Sequence, residues 1–188
     1  MYNKFLTGEK IYLREVREED VNDEYYSWIN DPEINQFLET RYLPRSKRDI
    51  LNHVSKLDGN PNEIFFAICD KTNDKHIGNI KLGPINWYHR KGDISLLVGN
   101  KDYWGKNIAT ESIKLVIEFG FKVLNLNKLC AGYYENNIGS AKAFEKCGFK
   151  VEGNFKEENF CNGYYINGIR IGLLKKNYLD KNQQQDTL

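Results

Sequence analysis

An α/β fold with a mixed sheet is what this chain of 188 residues predicts, and three observations predict it. Segments with strand-like alternation and segments with helical periodicity follow one another in the order βααβββαβαββ. No repeat, linker or break in composition divides them. The length suits one domain with a sizeable core, so residues 1–180 are expected to form it. The polar, Gln-rich stretch 181–188 is expected to trail as a disordered tail.

Each element has its own signal. Residues 10–16 alternate as a strand, with Ile11 and Leu13 on one face and Tyr12, Arg14 and Val16 on the other. Residues 18–30 read as a helix with Val21, Tyr25, Trp28 and Ile29 on one stripe, stopped at Asn30-Asp31-Pro32. Ser46 caps a second helix, with Asp49 three residues on and Ile50, Val54 and Leu57 on its buried side. Asp58-Gly59-Asn60-Pro61 ends it. Strands follow at 63–70 and 75–82 around the turn 71–74, and a third at 92–98 after the loop 84–91. Residues 108–121 form an amphipathic helix with Ile113, Val116, Ile117 and Gly120 inward. A strand at 128–134 leads to a helix at 137–147, which Gly148 closes in the left-handed conformation. Strands at 149–154 and 164–174 come last.

Charge excludes several functions. Lys and Arg number 27 and Asp and Glu 26, so nothing in the net charge of +1 suits a nucleic acid. The acidic run 15–24 and the basic run 41–48 are too short to be charged tails. No apolar run is long enough to span a membrane, and the first ten residues lack the apolar stretch of a signal peptide, so a cytoplasmic protein is expected. Cys69, Cys130, Cys147 and Cys161 show no Cys-x-x-Cys spacing, and His53, His76 and His89 are scattered, so no metal is expected.

The stretch between Asp93 and Glu111 is the most informative. It joins an apolar strand to a helix through Trp104-Gly105-Lys106-Asn107, a loop suited to anions. Gly105 lets backbone and ligand approach closely, and Asn107 tolerates left-handed angles. Ile108, Ala109 and Thr110 open a helix whose first N–H groups and positive dipole end attract phosphate. An ordinary strand–loop–helix connection would read the same way.

A second segment, Asn136 to Phe149, narrows this. Trp104-Gly-Lys-Asn-Ile-Ala109 together with Asn137-Ile-Gly-Ser140 and Glu145-Lys-Cys-Gly-Phe149 resembles the acetyl-CoA-binding motifs of the GNAT superfamily of N-acetyltransferases. The first family motif is Gln/Arg-x-x-Gly-x-Gly/Ala, and the second is Asn-x-x-Ser followed by Glu-Lys-x-Gly-Phe. The subgroup resembled is that of the ribosomal-protein N-terminal acetyltransferases. Residues 118–153 and the run Asn162-Gly-Tyr-Tyr-Ile-Asn-Gly-Ile-Arg170 are also similar to bacterial spermidine acetyltransferases. The resemblance implies a single domain with a mixed, mostly antiparallel central sheet flanked by helices. It implies acetyl-CoA as co-substrate and no metal. Three positions depart from the pattern: Trp104 replaces Gln/Arg, Asn107 replaces the central Gly, and Phe144 replaces a tyrosine that in spermidine acetyltransferases protonates the leaving thiolate.

Acetyl transfer needs a neutral amine, donors for the oxygen of the tetrahedral intermediate and a proton for the thiolate. The resemblance implies that backbone N–H groups near a bulge at Leu97 and Val98 serve the oxygen. Asp93 is the first candidate for the base, eleven positions before Trp104 as in histone acetyltransferases of the superfamily; it also suits a strand-edge carboxylate paired with Arg90 or Lys91. His89 is a weaker candidate. Ser140 matches the serine that resembles a thiolate-protonating residue, and equally suits a first helical turn. Asn137 matches the pantetheine-binding asparagine, and equally suits an N-cap. Phe144 would pack on CoA or in the core. Gly105, Lys106, Asn107, Ile108, Ala109 and Thr110 would hold the pyrophosphate.

The acceptor is expected to be a small-molecule amine. The family fold places it between the first two helices and the closing strands, with Phe37, Arg41, Tyr42, Arg45 and Arg48 from the helical side and Trp87, Tyr88 and Tyr164 or Tyr165 from the other. An Arg cluster with aromatic faces suits an amino sugar carried on a nucleotide, which is the first expectation. Polyamine and protein N-terminal acceptors are the alternatives, the former served by Glu33, Glu39 and the acidic run. A non-catalytic acyl-CoA-binding regulatory module is the rival from another class, motivated by Asn107. A homodimer is one option for assembly, and neither nucleic acid nor membrane is an expected partner.

Overall fold

The structure, a computed structural model, describes the backbone of residues 4–185 and the side chains of residues 4–180. In chain order it contains β1 (Leu6–Thr7), β2 (Ile11–Glu15), α1 (Asp23–Asn30), α2 (Pro32–Asn35), α3 (Lys47–Leu57), β3 (Ile64–Asp70), β4 (His76–Asn86), β5 (Lys91–Val98), α4 (Ile108–Glu118), β6 (Lys128–Tyr134), α5 (Ile138–Lys146), β7 (Lys150–Cys161), β8 (Tyr164–Leu174) and α6 (Lys175–Gln185). The strands form an eight-stranded sheet in the order β1-β2-β3-β4-β5-β6-β8-β7. The pairs β1–β2, β2–β3, β6–β8 and β7–β8 are antiparallel, and β5–β6 is parallel. A parallel pair requires a crossover, and α4 provides it. The expected α/β class, a mixed and mostly antiparallel sheet flanked by helices, is the architecture observed.

Five boundaries differ from those expected, one being the helix at 108–121, which ends at Glu118 and gives way to a π-helical turn over Phe119–Val123. The helix at 18–30 is divided: a 3-10 turn at Glu18–Asp20 comes first, and α1 starts after Asn22, whose side chain accepts from the Tyr25 N–H at 3.0 Å. Pro32 does not simply stop the chain. It opens α2, where its missing N–H costs nothing, and Asp31 caps that turn by accepting from Glu33 N–H at 2.8 Å. β4 runs on to Asn86, which shortens the expected loop to a tight hairpin. β7 runs to Cys161 rather than 154; it is an edge strand, exposed along most of its length, so its polar stretch 156–159 carries no apolar alternation to read. A register shift between Phe155 and Asn159, with Glu157 at φ 53°, marks a bulge there. Of the expected tail, the backbone of 181–185 continues α6, and 186–188 lie outside the described residues.

The chain forms two compact units, each discontinuous in sequence: residues up to Lys81 with Leu96–Ser112, and Leu82–Ser95 with the residues from Ile113 on. In the first, a core of Tyr12, Val16, Tyr25, Trp28, Ile34, Ile50, Val54, Ala67 and Cys69 is flanked by Val21, Ile29, Phe65 and Leu97. Val21, Tyr25, Trp28, Ile29, Ile50 and Val54, from the two helical stripes expected by periodicity, are among the residues that form or flank it. β2 is buried on both faces, including Arg14, whose guanidinium grips the Asp20 carboxylate with two bonds of 2.7 Å. Burial opposes the charge on Asp20, but Arg14 and the Arg17 N–H outweigh it and hold its pKa below the usual carboxylate value. In the second unit, Leu82, Ile94, Phe121, Leu126, Leu129, Ala131, Phe144, Phe149, Ile171 and Leu173 are buried. Gly148 closes α5 at φ 93°, as its position predicts.

Candidate active site

In the first unit the end of β5 and the loop after it are fixed by backbone geometry. The Ile77 carbonyl accepts from Gly99 N–H at 3.0 Å and from Asn100 N–H at 3.1 Å. Two residues thus oppose one, which is a bulge, and it falls two residues beyond the Leu97–Val98 position expected from the sequence. Neighbours pack tightly on it. A Cβ on Gly99 would overlap the Trp28 indole, and a Cβ on Gly78 would overlap the Leu97 carbonyl. Only glycine permits these approaches. The Leu97 side chain packs against the core, so any role it has toward a ligand belongs to its backbone.

The loop is then pinned at both ends. Asn100 Oδ1 accepts from Asp102 N–H at 2.9 Å, and the Tyr103 hydroxyl donates to Asp70 at 2.7 Å. That bond to a carboxylate, together with burial, pushes the Tyr103 pKa up. The Trp104 indole N–H donates to the Val98 carbonyl at 2.8 Å. Gly105 and Asn107 both take left-handed angles, φ 73° and φ 64°. Asn107 therefore takes a backbone conformation that favours glycine and that Asn tolerates better than most residues. Its carbonyl accepts from Glu111 N–H at 3.0 Å, the first bond of α4. Ile108 and Thr110 bury their side chains, which leaves backbone N–H groups and the positive helix end to the loop. Nothing lies within 4 Å of a Cβ built on Gly105. These features fit the pyrophosphate of CoA. Lys106 is exposed, with its amine 5.6 Å over the Tyr103 ring, and Ala109 is half-buried in the first turn.

In the second unit β5 and β6 pair only through Lys91↔Lys128, Gly92↔Leu129 and Asp93↔Cys130. Beyond Asp93 and Cys130 the two strands share no register, so pairing stops at the candidate base. Asp93 and Ser95 share the outward face, while Ile94 between them is 3 % exposed. Among the described residues no ion pair joins Asp93 to Arg90 or Lys91. Its neighbour is Cys130, whose thiol burial pushes up, aided by the Asp93 charge. Cys130 in turn pairs with Gly172 on β8, and Gly132 with Arg170. Glu152 folds over Gly172 and Glu158 over Gly168, so carboxylates lie along the face that carries Asp93, together with Lys128, which pairs with Glu152 at 2.6 Å, and the Arg170 guanidinium over Gly132.

α5 covers the opposite face. Ala141 and Phe144 line a cleft of about 260 Å³ with Tyr133, Val151 and Ile171, which all point to that side. Asn137 Oδ1 accepts from Ser140 N–H at 3.1 Å, so Asn137 is the N-cap of α5 and Ser140 lies in its first turn. Asp93 and Ser140 are thereby placed on opposite faces of one sheet. Phe144 is a core residue, 2 % exposed and edge-on to Phe149 at 5.0 Å. Its position in the middle of an amphipathic helix already allowed that reading.

Of the expected acceptor residues, Arg41 belongs to the first unit and Trp87, Tyr88 and Tyr164 to the second. Arg41 donates to the Leu38 carbonyl at 2.8 Å and to the Tyr42 hydroxyl, and its guanidinium lies 4.1 Å over the Tyr42 ring. These contacts tie it to the 3-10 turn Glu39–Tyr42. Trp87 and Tyr88 sit in the β4–β5 hairpin, at the Lys128↔Leu174 level, with Tyr88 97 % exposed. Tyr164 opens β8, roughly 34 Å away along that strand at about 3.4 Å per residue. His89 is exposed in the same hairpin, its N–H donating to Asn86 Oδ1 at 2.9 Å. Sequence reasoning missed Trp28 on Gly99 and Trp104 on Val98. The signal for the first was a glycine closing an apolar strand run, which marks a bulge or close approach; the second is a tertiary contact with no local signal.

Among the described residues no group of His, Cys, Asp and Glu is placed to hold a metal, and no helix is long and apolar enough to cross a membrane. Residues 10–150 match the family described as acetyltransferase (GNAT) domain. The chain is 32% identical over 160 residues to the spermidine N(1)-acetyltransferase of Escherichia coli (strain K12), covering 71% of this chain and 85% of that one. It is 29% identical over 177 residues to the uncharacterized N-acetyltransferase p20 of Bacillus licheniformis, covering 92% and 97%. Among solved structures, spermidine N-acetyltransferase from Vibrio cholerae in complex with CoA and spermine superposes with a TM-score of 0.81 at 25% identity, covering 92% of this chain and 99% of that one.

Proposed function

The chain belongs to the GNAT acetyltransferase family, and from that premise we propose that its acceptor is a polyamine of the spermidine class, acetylated at a primary amine. As a family member it is an N-acetyltransferase that draws on acetyl-CoA. The observation that carries the polyamine reading is the likeness to spermidine N(1)-acetyltransferase over most of both chains. The nucleotide-linked amino sugar, which the Arg41–Arg48 cluster and nearby aromatic faces motivated, gives way because the likeness is to a spermidine acetyltransferase. Asp93 and Glu158 supply negative charge for a polycation, and Glu152, which already pairs with Lys128 at 2.6 Å, lies on the same face. The non-catalytic reading, motivated by the Asn107 side chain beside the pyrophosphate, gives way to membership of an acetyltransferase family.

Acetyl-CoA supplies an activated thioester carbonyl. Its pyrophosphate lies on Gly105 to Thr110, and the backbone of Leu97 and Val98 donates to the carbonyl oxygen. Asp93 takes a proton from the attacking amine, which otherwise stays charged to about pH 10. Ser140 gives a proton to the departing sulfur directly or through water, a task that Phe144, without a hydroxyl, leaves to it. The test is thiol release from acetyl-CoA with spermidine, spermine, amino sugars and peptides as acceptors. Turnover with polyamines at a kcat/KM at least tenfold above the others is expected; preference for an amino sugar would overturn the polyamine reading, and binding without release would overturn the mechanism.

A further inference from the structure

Trp104 stands where the family motif has Gln or Arg, and its ring is 40 % exposed, so core packing does not account for it. Its indole N–H reaches back six residues to the Val98 carbonyl at 2.8 Å. Val98 ends β5, and the bulge at Gly99 and Asn100 follows at once. Trp104 also immediately precedes the left-handed Gly105. One hydrogen bond thus joins the end of the strand to the start of the loop. We propose that Trp104 is a positioning residue for acetyl-CoA: its N–H fixes the Val98 peptide and with it the spacing between the strand end and the Gly105–Thr110 loop. The inference rests on the reading that those two segments hold acetyl-CoA.

What the position requires on this account is a side-chain N–H, not an aromatic ring. Gln carries such a donor and Phe does not. A packing role and a hydrogen-bonding role therefore rank two substitutions oppositely. Trp104→Phe keeps most of the apolar surface and loses the donor; Trp104→Gln loses the surface and keeps a donor. Side-chain exposure makes either change compatible with folding, and thermal unfolding of each variant checks it.

The experiment measures CoA binding by calorimetry and the KM for acetyl-CoA and for spermidine, for the wild type and both variants. Trp104→Phe is expected to weaken CoA binding and raise the KM for acetyl-CoA roughly three- to tenfold, what one hydrogen bond is worth. The KM for spermidine is expected to stay unchanged, and Trp104→Gln to recover binding to within about twofold of wild type. Equal binding by wild type and Trp104→Phe, or Trp104→Gln weaker than Trp104→Phe, overturns the positioning role. Wild-type protein that binds no CoA overturns instead the reading of the loop on which the inference rests.

Discussion

The loop from Gly99 to Thr110 and the face around Asp93 would meet their ligands by different means. The loop works through backbone: two left-handed residues, a bulge on one carbonyl and a helix start, all within twelve consecutive positions. The face around Asp93 works through side chains drawn from β5, β6, β7 and β8, which register and hairpins bring together. A phosphate asks for N–H groups in one concave turn, which a short stretch of chain can supply alone. A flexible polycation asks for carboxylates spaced along its length, which no short stretch can supply. One site is thus local and the other dispersed, and substitutions should separate them.

The largest effect is expected at the candidate base. Asp93→Asn should lower kcat with spermidine by about a hundredfold or more and flatten the rise of rate with pH, while CoA binding is untouched. An unchanged pH–rate profile would return Asp93 to a structural role and leave the dispersed site without a base. Next comes the loop conformation. Asn107→Val places a β-branched residue at φ 64°, and strain of that kind should weaken CoA binding by roughly ten- to a hundredfold. Asn107→Gly should bind as well as wild type or better. If Asn107→Val binds normally, the backbone account of the loop fails.

Ser140→Ala should cost about tenfold in kcat with little change in the affinity for CoA, because the hydroxyl is asked only to supply a proton. Wild-type kcat in that variant would give the proton to water and leave Ser140 as a first-turn residue beside its cap, Asn137. The smallest effect is expected at Arg41. Its guanidinium is held by Leu38 and Tyr42, so Arg41→Ala should leave the KM for spermidine within about twofold. A tenfold rise would move Arg41 into the acceptor site and revive an anionic acceptor.

The same contrast explains what could be read from the sequence. Gly105, Asn107 and the helix start at Ile108 could be read because turn chemistry and helix entry are written in adjacent residues. The capping box of Ser46 and Asp49 and the left-handed Gly148 were legible for the same reason. The alternation of Asp93, Ile94 and Ser95 was legible too, since strand parity needs no partner. The acceptor side was not. Arg41 looked like part of a basic cluster until the Tyr42 ring and the Leu38 carbonyl proved to be its partners. Trp87 and Tyr88 looked close to Tyr164 until the register put ten residues of β8 between them. β7 hid its length because an edge strand needs no apolar side. Glu152 and Glu158 drew no notice in the sequence, because only the β7–β8 register lays them over Gly172 and Gly168.

The most direct test of the account is a competition in one vessel: acetyl-CoA with equal concentrations of spermidine and a nucleotide-linked amino sugar, the products separated and counted. The account predicts acetylated polyamine in at least tenfold excess, with CoA released mole for mole. Acetylated amino sugar as the main product, or CoA consumption with neither product formed, would contradict it.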